Sequence, residues 1–185
     1  MLKFDNMDVS PDKYEIPIDH KLKRSLMPEQ GSVSYTYILK DRKTGKRFVH
    51  KIMSTDQSER YGGWEMPILE RAKKLQRVHR ILSDIFEGRV AETQFILASS
   101  KGKDQIDVVQ PYIKGVMASS LPYEEGQKVF DYIEKKGGDW DQLTNTIANK
   151  ADVSINFAGT VVAEIHVLSN WIKDSKSGET IMVDF

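Results

Sequence analysis

Arg47-Phe48-Val49-His50-Lys51-Ile52-Met53 reads as a β-strand of aromatic and β-branched residues carrying a lysine past its middle. Upstream, Ser32-Val33-Ser34-Tyr35-Thr36-Tyr37-Ile38-Leu39-Lys40 is equally rich in strand formers. The polar stretch Asp41-Arg42-Lys43-Thr44-Gly45-Lys46 between them ends in a glycine signal, so the two runs predict a hairpin. Residues 1–20, with Pro11, Pro17 and scattered charges, read as an irregular lead-in. Downstream the period changes at Pro67. Ile68, Leu69, Ala72, Leu75, Val78, Ile81, Leu82, Ile85 and Phe86 recur at three- and four-residue steps, which is one face of a long helix. Pro67 suits its first turn, having no N–H to lose there, and Gly88 suits its stop.

Two further strands are expected at Thr93–Ala98 and Ile106–Ile113, separated by the polar turn Ser99-Ser100-Lys101-Gly102-Lys103-Asp104. Helical segments follow at Glu124–Lys135 and Asp141–Lys150, and Ile155, Ala158, Val162 and Ile165 form a more apolar helical stripe. The chain closes on Trp171-Ile172-Lys173, a turn at Asp174-Ser175-Lys176-Ser177-Gly178, and Thr180-Ile181-Met182-Val183-Asp184-Phe185, a short hairpin whose second strand ends in an aspartate. Strands gathered before helices predict an α+β protein: an antiparallel sheet lobe with one long helix, then a small, mainly helical lobe ending in a hairpin. The expected divisions are an arm over 1–24, the sheet lobe over 25–113 and the helical lobe over 114–185.

Composition limits the function classes. The 185 residues hold 27 basic and 27 acidic side chains, so the formal net charge is zero, without the basic excess of a dedicated nucleic-acid binder. An apolar share of 39% with no net charge excludes a wholly disordered chain. No apolar run approaches the ~18 residues of a membrane span. The start, Met1-Leu2-Lys3-Phe4-Asp5-Asn6, lacks a signal-peptide pattern, which leads to the expectation of a cytoplasmic protein with neither nucleic-acid nor membrane partner. The absence of cysteine removes disulfides, zinc–thiolate sites and thiol chemistry.

Over residues 25–185 the order of elements and the residues at their junctions resemble the protein-kinase-like fold, in its small bacterial and aminoglycoside-phosphotransferase-like branches. Three features carry the resemblance. Lys51 stands where that family has its strand lysine, and Glu70 follows 19 residues later on the long helix, a spacing typical of the lysine–glutamate pair. Asp107-Val108-Val109-Gln110-Pro111-Tyr112-Ile113-Lys114-Gly115 resembles a fifth strand running into a hinge. Asn170 and Asp184 lie 14 apart across a short hairpin, like the catalytic-loop asparagine and the aspartate of Asp-Phe-Gly.

The resemblance implies an ATP- and Mg²⁺- (or Mn²⁺-) dependent phosphotransferase acting on a protein or small-molecule hydroxyl. Lys51 would neutralise the α- and β-phosphates and Glu70 would orient it, with Glu65 as a competing carboxylate at the helix start. Gly31 and Ser32 would offer N–H groups to phosphate. The Gln110 carbonyl and the Tyr112 N–H would face adenine, and Asn170 and Asp184 would supply oxygen to the cation.

Departures from the pattern point to an alternative. The phosphate loop Glu29-Gln30-Gly31-Ser32-Val33-Ser34 has a single glycine. Five residues before Asn170, where the family has its base aspartate, stands Ile165, and the nearby proton acceptors are Glu164 and His166. The sequence ends at Phe185, before the family's activation segment, which implies either a minimal kinase-like protein of bacterial-effector type, delivered to a host cytosol, or a truncated one. The alternative is a catalytically inactive pseudokinase that works through a protein partner. Trp64, Trp140 and Trp171 read as packing anchors, and Arg71-Ala72-Lys73-Lys74 as the solvated face of the long helix.

Overall fold

Strand formation begins at a turn whose chemistry is local. Asp41 Oδ1 accepts from the N–H groups of Lys43 and Thr44 at 2.9 and 2.7 Å, and Gly45 takes a φ of +70°, which a glycine adopts without strain. This turn joins β2 (Ser34–Asp41) to β3 (Arg47–Ser54), with Thr36 opposite Lys51 and Tyr37 opposite His50. In the computed structural model, which describes residues 14–15, 34–54, 67–100 and 103–184, a two-residue β1 (Tyr14–Glu15) pairs with the far edge of β2. After β3 come α1 (Ile68–Ile85), β4 (Gln94–Ser100) and β5 (Lys103–Pro111). β5 folds back between β3 and β4, giving a five-stranded antiparallel sheet in the order β1-β2-β3-β5-β4.

The second half of the chain makes a three-stranded antiparallel sheet, β6 (Gly115–Met117), β7 (Trp171–Asp174) and β8 (Thr180–Met182), together with α2 (Tyr123–Gly137), α3 (Trp140–Ala151) and α4 (Ile155–Ile165). The expected terminal hairpin is therefore part of a larger sheet, since β6 adds to β7. Gly115 makes that pairing possible, because a Cβ there would lie 2.1 Å from the Lys173 carbonyl oxygen. Helix starts are capped as their sequences suggest. Asp139 accepts from the Gln142 N–H at 2.8 Å ahead of α3, and Ser154 accepts from the Phe157 N–H at 3.2 Å ahead of α4.

The chain is mixed α+β, with antiparallel sheets and four α-helices among the described residues. It divides into two units: a sheet unit running to Lys73 and resuming at Glu92–Tyr112, and a helical unit of Lys74–Ala91 and Ile113 onward. Two boundaries differ from the sequence expectation. The later division falls after Tyr112 rather than Ile113, and α1 changes unit part-way along its length. The reason is what its apolar face meets: Val78, Leu82 and Phe86 are fully buried in one cluster with Ile133, Ile147, Ile165 and Trp171. Ending α1, Gly88 takes a φ of +79° and donates its N–H to the Ser83 carbonyl at 2.9 Å. The segment that follows is tied to β8, with Met182 N–H donating to Arg89 O at 2.9 Å and Ala91 N–H to Met182 O at 2.8 Å.

Trp171 centres the helical unit. It meets Phe86 edge-on at 5.5 Å and Tyr132 at 6.3 Å, and its indole N–H donates to the Ile165 carbonyl at 2.7 Å. A buried indole needs such an acceptor, and here the carbonyl is one that the end of α4 would otherwise leave without a helical partner.

Candidate functional site

In the sheet unit, the register decides which side chains can cooperate. Lys51 lies opposite Val108, and Gln110 lies opposite Val49, so Lys51 and Gln110 project from the same face as diagonal neighbours. Gln110 is buried, and its amide donates to the Thr93 hydroxyl at 2.8 Å. Lys51 is half-buried, and Glu70 stands exposed in the first turn of α1, where a carboxylate complements the helix dipole.

The backbone groups expected to face adenine lie on the β3 side of β5. The Tyr112 N–H donates to the Arg47 carbonyl at 3.0 Å, so it is used within the sheet. Alternation along an antiparallel ladder turns the backbone of Gln110, opposite Val49, towards β3 as well. Pro111 lies between them, and its carbonyl faces the side on which β4 has ended at Gln94. A proline is tolerated there because no strand opposite asks for its missing N–H.

In the helical unit, α4 ends at Ile165 and a single 3-10 turn, Leu168–Asn170, leads straight into β7. Asn170 Nδ2 donates twice to Glu164, to its carbonyl at 3.0 Å and to Oε2 at 2.9 Å. The Asn170 carbonyl accepts from the Val183 N–H at 2.7 Å, which brings Asn170 beside Val183-Asp184 at the open end of the β7–β8 hairpin. Asp184 is exposed and lies two residues beyond β8. His166 caps α4. Its Nδ1 lies 2.8 Å from the Val162 carbonyl and therefore carries a proton, and its ring packs on Trp140 at 5.1 Å. In the neutral ring this leaves Nε2 as the acceptor. Ile165, at the family's base position, is fully buried, so a side chain there faces the core.

Gly31, Ser32, Glu65 and Trp64 lie outside the described residues. Trp171 does anchor packing, whereas Trp140 is 45% exposed. The run at Arg71–Lys74 is not uniformly solvated: Ala72 is buried, and the Lys74 side chain is only 13% exposed, 3.9 Å from Asp152. Burial also lowers the Arg71 guanidinium from its usual range.

Sequence reasoning missed a buried His–Asp pair. His50 Nε2 lies 3.1 Å from Asp107 Oδ2, off the line of an aligned hydrogen bond, and both residues are about 95% buried. The signal was available as two polar side chains on one face of two strands otherwise rich in Val and Ile, but it needs the register to be seen. Among the described residues no group of three or more His, Asp or Glu could hold a metal ion, and no helix is long and apolar enough to cross a membrane. No protein-family model matches the chain, and no curated protein matches it.

Proposed function

We propose that the chain is a protein-kinase-like phosphotransferase that binds ATP with Mg²⁺ or Mn²⁺ and transfers a phosphoryl group to a protein or small-molecule hydroxyl. The observation that carries this reading is the Val183–Asn170 backbone bond, which sets the two proposed cation ligands at one end of one hairpin. The sheet order supports it further, with a lysine on the third strand and a long helix following that strand. The donor chemistry fits a hard cation, since an amide oxygen and a carboxylate are the oxygens that Mg²⁺ prefers. When bound, the cation would neutralise charge on the phosphates. Lys51 would pair with phosphate and Glu70 would orient it, with Gly31 and Ser32 offering N–H groups. Gln110, on the face of Lys51, would line the base site. Of the two proton acceptors expected from the sequence, His166 would take the substrate proton, through Nε2.

Thermal denaturation tests this without a known acceptor. A ligand that binds only the folded chain stabilises it by about 2.7 kcal/mol at a hundredfold excess over Kd. At roughly 2–4 °C per kcal/mol for a chain of this size, the shift is several degrees. ATP with magnesium is expected to raise Tm and ATP with chelator to raise it less. Asp184→Asn should abolish the magnesium-dependent part, and Lys51→Met should weaken both responses. No shift at millimolar ATP with either cation overturns the reading.

One observation favours a second reading, a kinase-like binding protein without transferase activity that works through a protein partner. Ile165 is apolar and fully buried where a transferring enzyme has its aspartate. A magnesium-dependent nucleotide shift without phosphoryl transfer to any hydroxyl acceptor would decide for it.

A further inference from the structure

We propose that Glu164 is a positioning residue for Asn170, fixing its amide oxygen as a cation ligand, and is not the general base; the inference rests on the nucleotide-and-magnesium reading above. Both hydrogens of the Asn170 amide go to Glu164, one to its main-chain carbonyl at 3.0 Å and one to Oε2 at 2.9 Å. A carbonyl and a carboxylate can only accept, so the nitrogen must face Glu164 and Oδ1 must face away, however alike the two amide ends are in shape. The main chain of Asn170 is held as firmly. Its N–H donates to Val167 O at 2.9 Å, and its carbonyl accepts from Val183 N–H at 2.7 Å. Oδ1 is then the one polar atom of this residue that takes part in no hydrogen bond among the described residues, and it is of the hard-oxygen kind that magnesium selects.

The same geometry argues against Glu164 as base. A general base needs a lone pair aimed at the substrate hydroxyl. Glu164 Oε2 already receives an N–H from the residue that it orients, which lowers its basicity and leaves Oε1 as the oxygen still open. Groups that orient metal ligands in this way typically change metal affinity about 10–100-fold when removed. The Glu164 main-chain carbonyl stays in every variant, so the lower end of that range is expected.

The test compares Glu164→Gln, whose side-chain carbonyl can still accept from the amide, with Glu164→Ala, which cannot. The probes are ATP with Mg²⁺ by thermal shift and Mn²⁺ binding to the ATP-loaded chain by electron paramagnetic resonance. E164Q is expected to keep the magnesium-dependent increment in Tm and any phosphoryl transfer. E164A is expected to lose that increment and to bind Mn²⁺ about tenfold more weakly. Should E164A not fold, Glu164→Met fills similar volume without an acceptor and takes its place. A merely structural role would lower the ligand-free Tm of E164A and leave the increment intact, which overturns the proposal. Loss of phosphoryl transfer in E164Q with the increment retained overturns it in favour of a base. A wild-type chain that shows no magnesium response removes the parent reading, and this inference with it.

Discussion

The two units bury different chemistry. Of the buried polar residues described, the sheet unit holds His50, Thr93, Asp107 and Gln110, and the helical unit holds only Thr144. The helical unit is built as an apolar cluster around Trp171, in which the buried indole N–H has its acceptor six residues back along the chain. The sheet unit instead places a hydrogen-bonded amide on the face of Lys51 and a His–Asp pair on the opposite face. An apolar core is held by area and shape, so its residues answer to packing. A polar interior adds little net stability for its desolvation, so its residues are the ones whose presence asks for a function.

The largest effect should come from the apolar centre. Trp171→Ala removes a fully buried indole that touches two aromatic rings, and about 3–5 kcal/mol of stability should be lost. Urea unfolding followed by circular dichroism checks this. Trp171→Phe should lose less, because one ring still fills most of the site, although the bond to Ile165 O goes and a smaller cavity is left. A loss below 1 kcal/mol for the alanine variant would mean that the helical unit is not organised around this side chain.

Next is the His50–Asp107 pair of the sheet. Asp107→Ala takes from His50 an acceptor that lies 3.1 Å away inside a buried site, at a cost of about 1–3 kcal/mol. Replacing both residues with apolar ones, His50→Phe with Asp107→Leu, should cost less than either single change, because neither group is then left buried without the other. A double variant less stable than both single ones would show that the pair itself holds the sheet together and would narrow the contrast between the units.

What the sequence made legible follows the same division. The period of α1 and the hairpin at Asp41–Lys46 are local signals, and both elements formed where those signals lie. β6 escaped notice because Gly115-Val116-Met117 is too short to show an alternation, and it pairs with residues more than fifty positions away. Periodicity showed which face of α1 is apolar but not what that face meets, and so the change of unit within the helix was invisible. At the site, the spacing of Asn170 and Asp184 could be read, since one hairpin joins them. The contact of Glu164 with Asn170 could not, because it depends on α4 stopping at Ile165 and on the chain turning back at once. The direction of the Tyr112 N–H was hidden for a similar reason: it is set by the register with β3.

The smallest expected effect concerns the hairpin that carries the proposed cation ligands, and it arises from pH. Asp174 closes the β7–β8 turn. Its carboxylate accepts from the Ser177 hydroxyl at 2.8 Å and from the N–H groups of Ser177 and Lys176 at 3.0 and 3.2 Å, which hold it below its ordinary value of 3.8. A carboxylate depressed by folding contributes stability above its unfolded value, and that stability is lost as pH falls through the lower, folded value. The turn should therefore loosen only below about pH 4, and slightly, because the group is solvent-exposed and its bonds compete with water. Amide exchange of the Gly178 N–H, which donates to Asp174 O at 2.9 Å, is the sensitive probe. After correction for the intrinsic pH dependence of exchange, its protection should fall below pH 4 in the wild type. In Asp174→Asn, which has no charge to titrate, it should be lower already at neutral pH and flat across that range. Protection that falls equally in both proteins would place the acid-sensitive group elsewhere and leave this turn as rigid as the core beside it.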